Sequence, residues 1–403
     1  MIKKPLTYIS LFSSAGIGCY GFKQSGFECI ATNEILSKRL KIQQYNSKCK
    51  YDSGYISGDI TKTEIKQQLL DELELWQRTY NIESPDVLIA TPPCQGMSVA
   101  NHKKNNEKSR NSLVVESIKL TKQILPKYFV FENVRAFLKT VCTDIDGIDK
   151  PIEDAIKLNL GDHYNILSKI VNLKAYGSNS SRTRTLVIGV RKDIKDVSPY
   201  DIFPEKRKPK TLRQLIDDLP SLTTMGQISE DIFHAYRKFD ERMLPWIEQL
   251  EEGQSAFENM EPHRIPHRII NGEIVYNKRK NGDKYARWYW DKEGPCVHTR
   301  NDILSSQNTV HPSDNRVFSI RELMRMLSIP ESFEWSYIKT EKLNQLSETE
   351  KKAFLKKEEL NIRHCLGEAV PTGVFKSIAD NIKEAIEEES LISDEKNTQN
   401  RYH

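Results

Sequence analysis

The chain has 403 residues, of which 38% are hydrophobic and 29% are charged, and its formal net charge is +4. This length exceeds one ordinary core, so we expect a globular protein of two domains, whose mild positive charge permits nucleic acid as a partner without requiring it. No apolar run reaches the roughly 18 residues of a membrane helix, and the first residues show no secretory signal, so we expect a cytoplasmic protein without a membrane partner.

The beginning of the chain alternates strand-like and helix-like segments. The β-rich stretch from Leu6 to Phe12 predicts a first strand, and a glycine-rich turn with Gly16 and Gly18 follows it. Glycine lets the backbone approach a ligand closely, so this turn is a candidate ligand cradle, although many such turns only begin a helix. A second strand ends at Glu34, where dinucleotide-type folds commonly bind ribose hydroxyls; the alternative is a solvated strand end.

The alternation continues with a second acid, Asp59, and with residues 65–80, which have the spacing of an amphipathic helix. The apolar run 87–90 then predicts a buried strand, which Pro92 and Pro93 would end because proline cannot donate to a sheet ladder. Strands that alternate with helices indicate a parallel sheet covered by helices.

Cys94 follows the two prolines, at the carboxyl end of the predicted strand, where open α/β sheets place their ligands. A lone cysteine is by itself more often a small buried packing residue. The seven cysteines include no CxxC or zinc-finger spacing, so we expect a reducing compartment, no disulfide framework and no metal. The basic stretch 101–111 fits either a solvated loop or a lid over an anionic backbone.

Later strands also end in charged residues. An apolar strand that begins near Lys127 ends at Glu132, where ligands of a parallel sheet gather. Arg182 and Arg184 precede a further predicted strand, and residues at i and i+2 of an extended chain lie on the same side. By themselves, the two arginines are more typical of surface charge than of a site.

From about residue 195 the pattern changes, and the Pro-, Lys- and Arg-rich segment 203–210 suggests a domain boundary. Residues 261–290 interleave seven Lys and Arg with aromatic residues, which suits a surface that follows phosphates and contacts bases. The alternative is a small β-rich domain with a basic face. Beyond it we expect a helix at 316–329, a capped helix after Ser347 and a final helix before a polar tail.

In their order and spacing, these motifs resemble those of the cytosine-5 DNA methyltransferase family over nearly the whole chain. The turn with Gly16 and Gly18 resembles the first family motif, Pro93-Cys94-Gln95 the catalytic Pro-Cys motif, and Glu132-Asn133-Val134 the Glu-Asn-Val motif. Each motif is modest alone, but the ordered set is specific.

The resemblance extends to the second half of the chain. Arg182 and Arg184 match two arginines of the family's Gln-x-Arg-x-Arg strand, and residues 321–330 and 367–371 resemble the ninth and tenth motifs. Ser180 stands in place of the usual glutamine, and the tenth motif has a glutamate where asparagine usually follows its glycine.

The resemblance implies an α/β fold, with a Rossmann-like S-adenosylmethionine-dependent methyltransferase sheet and a second, smaller target-recognition domain. The catalytic domain would comprise residues 1–194, completed by 362–390. Residues 195–361 would form the target-recognition domain and connecting helices, and residues 391–403 a disordered tail.

The implied reaction begins when Cys94 attacks C6 of a flipped-out cytosine, whose ring then accepts a methyl group at C5. Glu132, kept partly protonated by burial, would assist at the ring nitrogen N3. Arg184 would contact the cytosine O2, and Arg182 would support it.

The implied methyl donor is S-adenosylmethionine. Gly16 and Gly18 would approach its methionine part, Glu34 would bind the ribose hydroxyls and Asp59 would reach the adenine amino group. Pro93 would line the same pocket. The resemblance also makes Phe12 the ring that stacks on the adenine, although the glycine turn has one residue more than the common family pattern.

The expected macromolecular partner is double-stranded DNA. The architecture resembles the methylase half of a bacterial restriction–modification system, in which a cognate restriction endonuclease would be functionally paired but not necessarily bound. We expect a monomer.

Three alternatives stay open. An RNA (transfer RNA) cytosine-5 methyltransferase would share the fold and the motifs. A catalytically inactive DNA-binding paralogue would usually lack the counterpart of Cys94 or Glu132, and both are present. A dinucleotide oxidoreductase would explain the glycine turn and Glu34, but it would leave Cys94 and Glu132 without a role.

Overall fold

A computed structural model describes residues 4–93, 107–278 and 282–399, so Cys94 and the first part of the basic stretch after it lie outside the described residues. The chain divides into two compact units. The first unit comprises residues 1–177, 183–206 and 371–403, and the second comprises residues 178–182 and 207–370.

The secondary structure alternates as predicted over the first unit. The strands, in chain order, are β1 (Thr7–Leu11), β2 (Glu28–Glu34), β3 (Tyr55–Ser57), β4 (Val87–Ala90), β5 (Tyr128–Val134), β6 (Val141–Thr143), β7 (Asp149–Pro151), β8 (Tyr164–Asn172), β9 (Thr183–Arg191), β10 (His267–Ile270) and β11 (Glu273–Tyr276). The helices are α1 (Tyr20–Gln24), α2 (Ser37–Tyr45), α3 (Thr63–Tyr80), α4 (Glu107–Ile124), α5 (Ile152–Leu160), α6 (Leu212–Ile216), α7 (Leu244–Ile247), α8 (Ile320–Met326), α9 (Thr340–Asn344), α10 (Glu348–Glu368) and α11 (Thr372–Gln399).

A seven-stranded sheet of order β3-β2-β1-β4-β5-β9-β8 forms the centre of the first unit. The strands from β3 to β5 are parallel, whereas β9 runs antiparallel to both β5 and β8. All residues of β1 and β4 are buried, which confirms the prediction of apolar parallel strands covered on both faces. The chain leaves β1 toward β2 on one side and returns to β4 on the other, so the topological switch point lies between β1 and β4.

Helix α3 shows how sequence spacing produces the covered sheet. Its side chains Ile65, Leu69, Leu73 and Trp76 recur at helical spacing and are buried in the core of the first unit. The sequence did not predict the hairpin of β6 and β7, because strands of three residues show too little periodicity to be recognised. It also did not predict the helix α5 that follows them.

Helix α11 packs against α1 in the first unit. The Thr372 hydroxyl donates to the Ile17 carbonyl at 2.9 Å, and a Cβ on Gly21 would lie 2.5 Å from the Lys376 nitrogen. Only glycine therefore permits this close approach. The helix continues through residues 391–399, for which we expected disorder, and no Gly or Pro after Gly373 interrupts it.

In the second unit, α8 is shorter than the helix predicted at 316–329, since it begins at Ile320 and ends at Met326. Ser319 caps it, and its side chain and that of Glu322 form a capping box. The capping box predicted at Ser347 is confirmed at the start of α10. That helix runs through Glu368, so the loop expected between Gly367 and Gly373 is reduced to a few residues.

A buried charged cluster joins the first turn of α8 to the segment before it. The Arg316 guanidinium donates to both carboxylate oxygens of Glu322 at 2.8 and 2.7 Å and to Asp314 at 2.9 Å. Burial raises the pKa of Glu322, but Arg316 and His311 more than offset this effect, so its pKa lies well below the ordinary value. Burial also lowers the pKa of His311 to about 4. The cluster is therefore a buried network in which one guanidinium contacts two carboxylates.

Part of the basic and aromatic segment 261–290 lies inside the second unit. Tyr285 is buried, and the buried Arg287 donates to the carbonyls of His311 and Ile247 at 2.8 and 2.7 Å. Side chains of the β10–β11 hairpin are exposed instead. In the part of the chain that the structure describes, no helix is long and apolar enough to cross a membrane.

Candidate active site

Two loops meet at the switch point, at the carboxyl ends of β1 and β4. The Thr91 amide donates to the Leu11 carbonyl at 3.3 Å, and the Thr91 hydroxyl donates to the Phe12 carbonyl at 2.9 Å. Phe12 itself has a left-handed backbone (φ 57°) and packs partly against the core. Open α/β sheets bind ligands at this crevice, so the fold places the glycine turn and the Pro-Pro segment where chemistry is expected.

The glycine turn is tightly folded. The Gly16 amide donates to the Ser13 carbonyl at 2.8 Å, and Gly16 has a left-handed backbone with φ +77°. A Cβ at this position would also lie 3.0 Å from the Cγ of Gln43. Gly18 is buried just before α1. The turn thus depends on glycine for both its conformation and its packing.

Glu34, at the end of β2, is bound to the glycine turn. Its carboxylate is 6% exposed and accepts hydrogen bonds from the Ser14 amide at 2.8 Å and the Leu36 amide at 3.0 Å. Each carboxylate oxygen keeps a further acceptor site for a hydroxyl. Ile35 follows and is 62% exposed, which leaves a branched apolar side chain beside this carboxylate. The sequence pattern did not single out Ile35, because exposure cannot be read from residue type.

Asp59 follows β3, the strand that pairs with β2. Its carboxylate accepts hydrogen bonds from the Thr61 amide at 3.0 Å and the Thr61 hydroxyl at 2.9 Å. The backbone hydrogen bond from Thr61 lowers the pKa of Asp59 below its ordinary value. Asp59 and Glu34 therefore stand at the ends of neighbouring strands.

Asn133 fastens the segment that leads to Cys94. Its amide group donates to the Pro92 carbonyl at 2.9 Å, and its carbonyl oxygen accepts from the Val134 amide at 2.8 Å. Pro92 is buried, whereas Pro93 is exposed. The side chain thus ties the end of β5 to the turn after β4.

Glu132 is buried at the end of β5 and forms an ion pair with Arg184 of β9, with 3.1 Å between Oε1 and Nε. In the antiparallel register, Val134 lies opposite Arg184, so Glu132 and Arg184 are diagonal neighbours. From the sequence we had considered only the effect of burial on Glu132, and the structure adds a guanidinium beside its carboxylate.

Arg182 belongs to the second unit, whereas Arg184 belongs to the first. The Arg182 guanidinium is buried and donates to the carbonyls of Val297 and Gly367, both at 2.8 Å. Ser180, which replaces the glutamine of the family pattern, donates to the Pro295 carbonyl at 2.6 Å. In this part of the chain, both side chains hold the backbone of the second unit.

The thiols of the described residues are mostly enclosed. Cys19, Cys29, Cys49, Cys142 and Cys365 are buried, and Cys296 is half-buried. Burial raises the pKa of the Cys19 thiol and raises that of Cys142 to about 11, so neither is prepared to act as a thiolate. The described residues also contain no cluster of His, Cys, Asp and Glu side chains that could hold a metal ion.

Comparison with known proteins identifies the family of the chain. The model of the C-5 cytosine-specific DNA methylase family matches residues 6–384. The chain is 32% identical to the Type II methyltransferase M1.HgaI of Avibacterium volantium, over 83% of this chain and 90% of the relative. It is 25% identical to the Type II methyltransferase M.DdeI of Desulfomicrobium norvegicum, over 96% of this chain and 91% of the relative.

A solved structure described as a DNA modification methyltransferase encoded within an E. coli prophage has the same fold. The TM-score is 0.64 at 18% identity, and the match covers 95% of this chain and 99% of that one. The central sheet and the family match together decide the assignment. The chain belongs to the C-5 cytosine-specific DNA methylase family and is a DNA (cytosine-5-)-methyltransferase.

Proposed function

We propose that this enzyme methylates C5 of a flipped-out cytosine in a specific duplex DNA sequence, through a covalent bond between Cys94 and C6. The observation that carries the proposal is the arrangement around β5. The Asn133 side chain donates to the Pro92 carbonyl at 2.9 Å, two residues before Cys94. The residue before Asn133, Glu132, forms an ion pair with Arg184, with 3.1 Å between Oε1 and Nε. The segment that leads to Cys94 is thus held beside β5, next to a carboxylate and a cation that could serve the reaction.

The chemistry requires these groups because cytosine C5 is a weak nucleophile. When the Cys94 thiolate adds to C6, a carbon–sulfur bond forms and the ring electrons shift toward N3 and O2. Glu132 in its protonated form donates a hydrogen bond to N3, and Arg184 stabilises the charge at O2. After C5 has gained the methyl group, solvent takes the C5 proton, the electrons of that C–H bond re-form the C5–C6 double bond, and Cys94 leaves as its thiolate.

We assign the donor site to the crevice beside β1. S-adenosylmethionine, when bound, supplies an electrophilic methyl group. Glu34 suits its ribose because both carboxylate oxygens are oriented by backbone amides and retain acceptor capacity for hydroxyls.

Other residues would line the rest of the donor site. Gly16 and Gly18 allow a close approach of the backbone, and Phe12 and Ile35 offer apolar surface to the adenine. Asp59 would accept from the adenine amino group, and Pro93 would line the pocket.

We assign target recognition to the second unit, which carries the exposed β10–β11 hairpin. The target base must leave the helix stack, at a cost of a few kcal/mol. Because the similar proteins are Type II methyltransferases, we also propose that methylation protects host DNA from a cognate restriction endonuclease, and that the enzyme acts as a monomer.

Labelled S-adenosylmethionine and duplex DNA test the proposal directly. Label should appear at C5 of cytosine in the duplex, and bisulfite sequencing of a genome that expresses the enzyme should show one methylated sequence. DNA from these cells should resist an endonuclease specific for that sequence. Label in transfer RNA and none in DNA would establish the RNA alternative instead. A duplex with 5-fluorocytosine at the target should stay covalently bound, because fluorine cannot leave as the C5 proton does.

Replacing Asn133 with Ala tests the positioning of the turn. The change removes the hydrogen bond to the Pro92 carbonyl and leaves that segment free to shift. Because a displacement of about 1 Å can cost 10²-fold in rate, we expect kcat to fall by about 10- to 100-fold. Steady-state kinetics measure the loss. Asn165→Ala, at an exposed position of β8, is the matched control. Equal rates for both variants would contradict the role given to Asn133.

A further inference from the structure

A buried lysine lies beneath the glycine turn. Lys48 is 8% exposed, and its ammonium donates to the hydroxyl of Ser10 at 3.0 Å, the hydroxyl of Thr32 at 2.9 Å and the side-chain carbonyl of Gln43 at 3.0 Å. These three neutral acceptors use all three of its N–H donors. Within the described ranges, no carboxylate lies within ion-pair distance of Lys48.

This ammonium is the centre of a network that ends at the glycine turn. Gln43, whose carbonyl oxygen binds Lys48, donates through its amide nitrogen to the Ser14 carbonyl at 2.6 Å. The Ser14 amide in turn donates to Glu34 at 2.8 Å. A continuous path of hydrogen bonds thus joins Lys48 to the carboxylate assigned to the donor ribose.

The other two acceptors fix the strands on either side of the turn. Ser10 lies in β1 and Thr32 in β2, and the Thr32 hydroxyl also donates to the Gln43 carbonyl oxygen at 2.8 Å. Gln43 packs under Gly16, where a Cβ would lie 3.0 Å from its Cγ. The orientation of Gln43 therefore decides both the position of the Ser14 carbonyl and the space below Gly16.

Burial of an ammonium without an opposite charge is costly, and a structural hydrogen-bond network does not require a charged donor. A charged donor does form stronger hydrogen bonds than a neutral one, and the bond from Lys48 favours the orientation in which the Gln43 carbonyl oxygen faces the ammonium. With its carbonyl oxygen bound to Lys48, the amide nitrogen of Gln43 must point at the Ser14 carbonyl.

We propose that Lys48 is a positioning residue that sets the glycine turn for the methyl donor through Gln43. This inference rests on the proposed donor site. Lys48 does not contact the reacting atoms, so its loss should weaken donor binding much more than it slows turnover at saturating donor.

The test replaces Lys48 with Met, which keeps the length of the side chain and removes its charge. Calorimetric titration with S-adenosylmethionine should show a Kd raised by about 10- to 100-fold, and the KM for the donor should rise in parallel. In the ligand-free protein, hydrogen exchange of the Ser14 amide should be faster than in wild type. A purely structural role would lower the melting temperature and the active fraction but leave Kd and KM of the folded protein unchanged.

Gln43→Leu provides a second route if Lys48→Met does not fold. It should raise Kd in the same way, and the double variant should bind about as well as either single variant, because both changes interrupt one path. Lys50→Met is the matched control, since Lys50 is half-exposed and pairs with Glu28 at 3.2 Å. If the folded variants bound S-adenosylmethionine with the wild-type Kd, the role of Lys48 would be overturned, but the donor site would not. A wild-type enzyme that does not bind S-adenosylmethionine would overturn the donor site as well.

Discussion

Replacing Cys94 with Ala is expected to abolish methyl transfer, with a loss on the order of 10⁴-fold or more, because the variant has no nucleophile to add to C6. Binding to duplex DNA should persist, since Ala removes only the sulfur atom. Transfer of labelled methyl groups and a gel-shift titration measure the two properties separately.

Cys296→Ala is the matched control, because Cys296 is half-buried in the second unit and has no assigned role in the reaction. It should transfer methyl groups at the wild-type rate. Residual transfer by Cys94→Ala well above background would show that another group attacks the base. In that case the wild-type enzyme would also be expected to form no covalent bond between Cys94 and the 5-fluorocytosine duplex.

Replacing Arg316 with Met is expected to destabilise the second unit by about 3–5 kcal/mol, because Glu322 and Asp314 would remain buried without their cation. Arg316 is 1% exposed and contacts both carboxylates at 2.7–2.9 Å, so water cannot take its place. Urea unfolding followed by tryptophan fluorescence should show a lower midpoint.

Arg242→Met provides the comparison for this loss. Arg242 pairs with Asp240 at the surface, where solvent screens the charges, so the unfolding midpoint should stay close to that of wild type. An equal midpoint for Arg316→Met and wild type would mean that the buried cluster does not stabilise the unit.

Local patterns were sufficient for the strands that carry the site. Apolar runs bounded by Gly or Pro placed β1 and β4 and the turns that follow them, and the capping pair Ser347 and Glu350 marked the start of α10. Each of these signals lies within a few residues, so it survives without knowledge of the remaining chain. The reversed direction of β9, which is antiparallel to both β5 and β8, was not predictable in this way, since strand direction depends on the partner strands.

Local patterns were misleading where charge or aromaticity suggested a surface. Arg287 and Tyr285 stand in a basic, aromatic segment, but both are buried, and Arg287 donates to backbone carbonyls. Arg182 was grouped with Arg184 from their spacing, but it holds the carbonyls of Val297 and Gly367 in the second unit. Every residue has a backbone carbonyl, so the sequence does not indicate which carbonyls a buried arginine will bind.

The sequence by itself determined the class of the sheet, the order of the motifs and the residue types available for the reaction, because these depend on local spacing and composition. Tertiary structure alone decided that Asn133 donates to Pro92, that Arg184 pairs with Glu132 and that Lys48 donates to Gln43. The first of these bonds joins residues 41 positions apart. Hydrogen bonds between such distant residues form only after the strands have paired, so their geometry is a property of the assembled sheet.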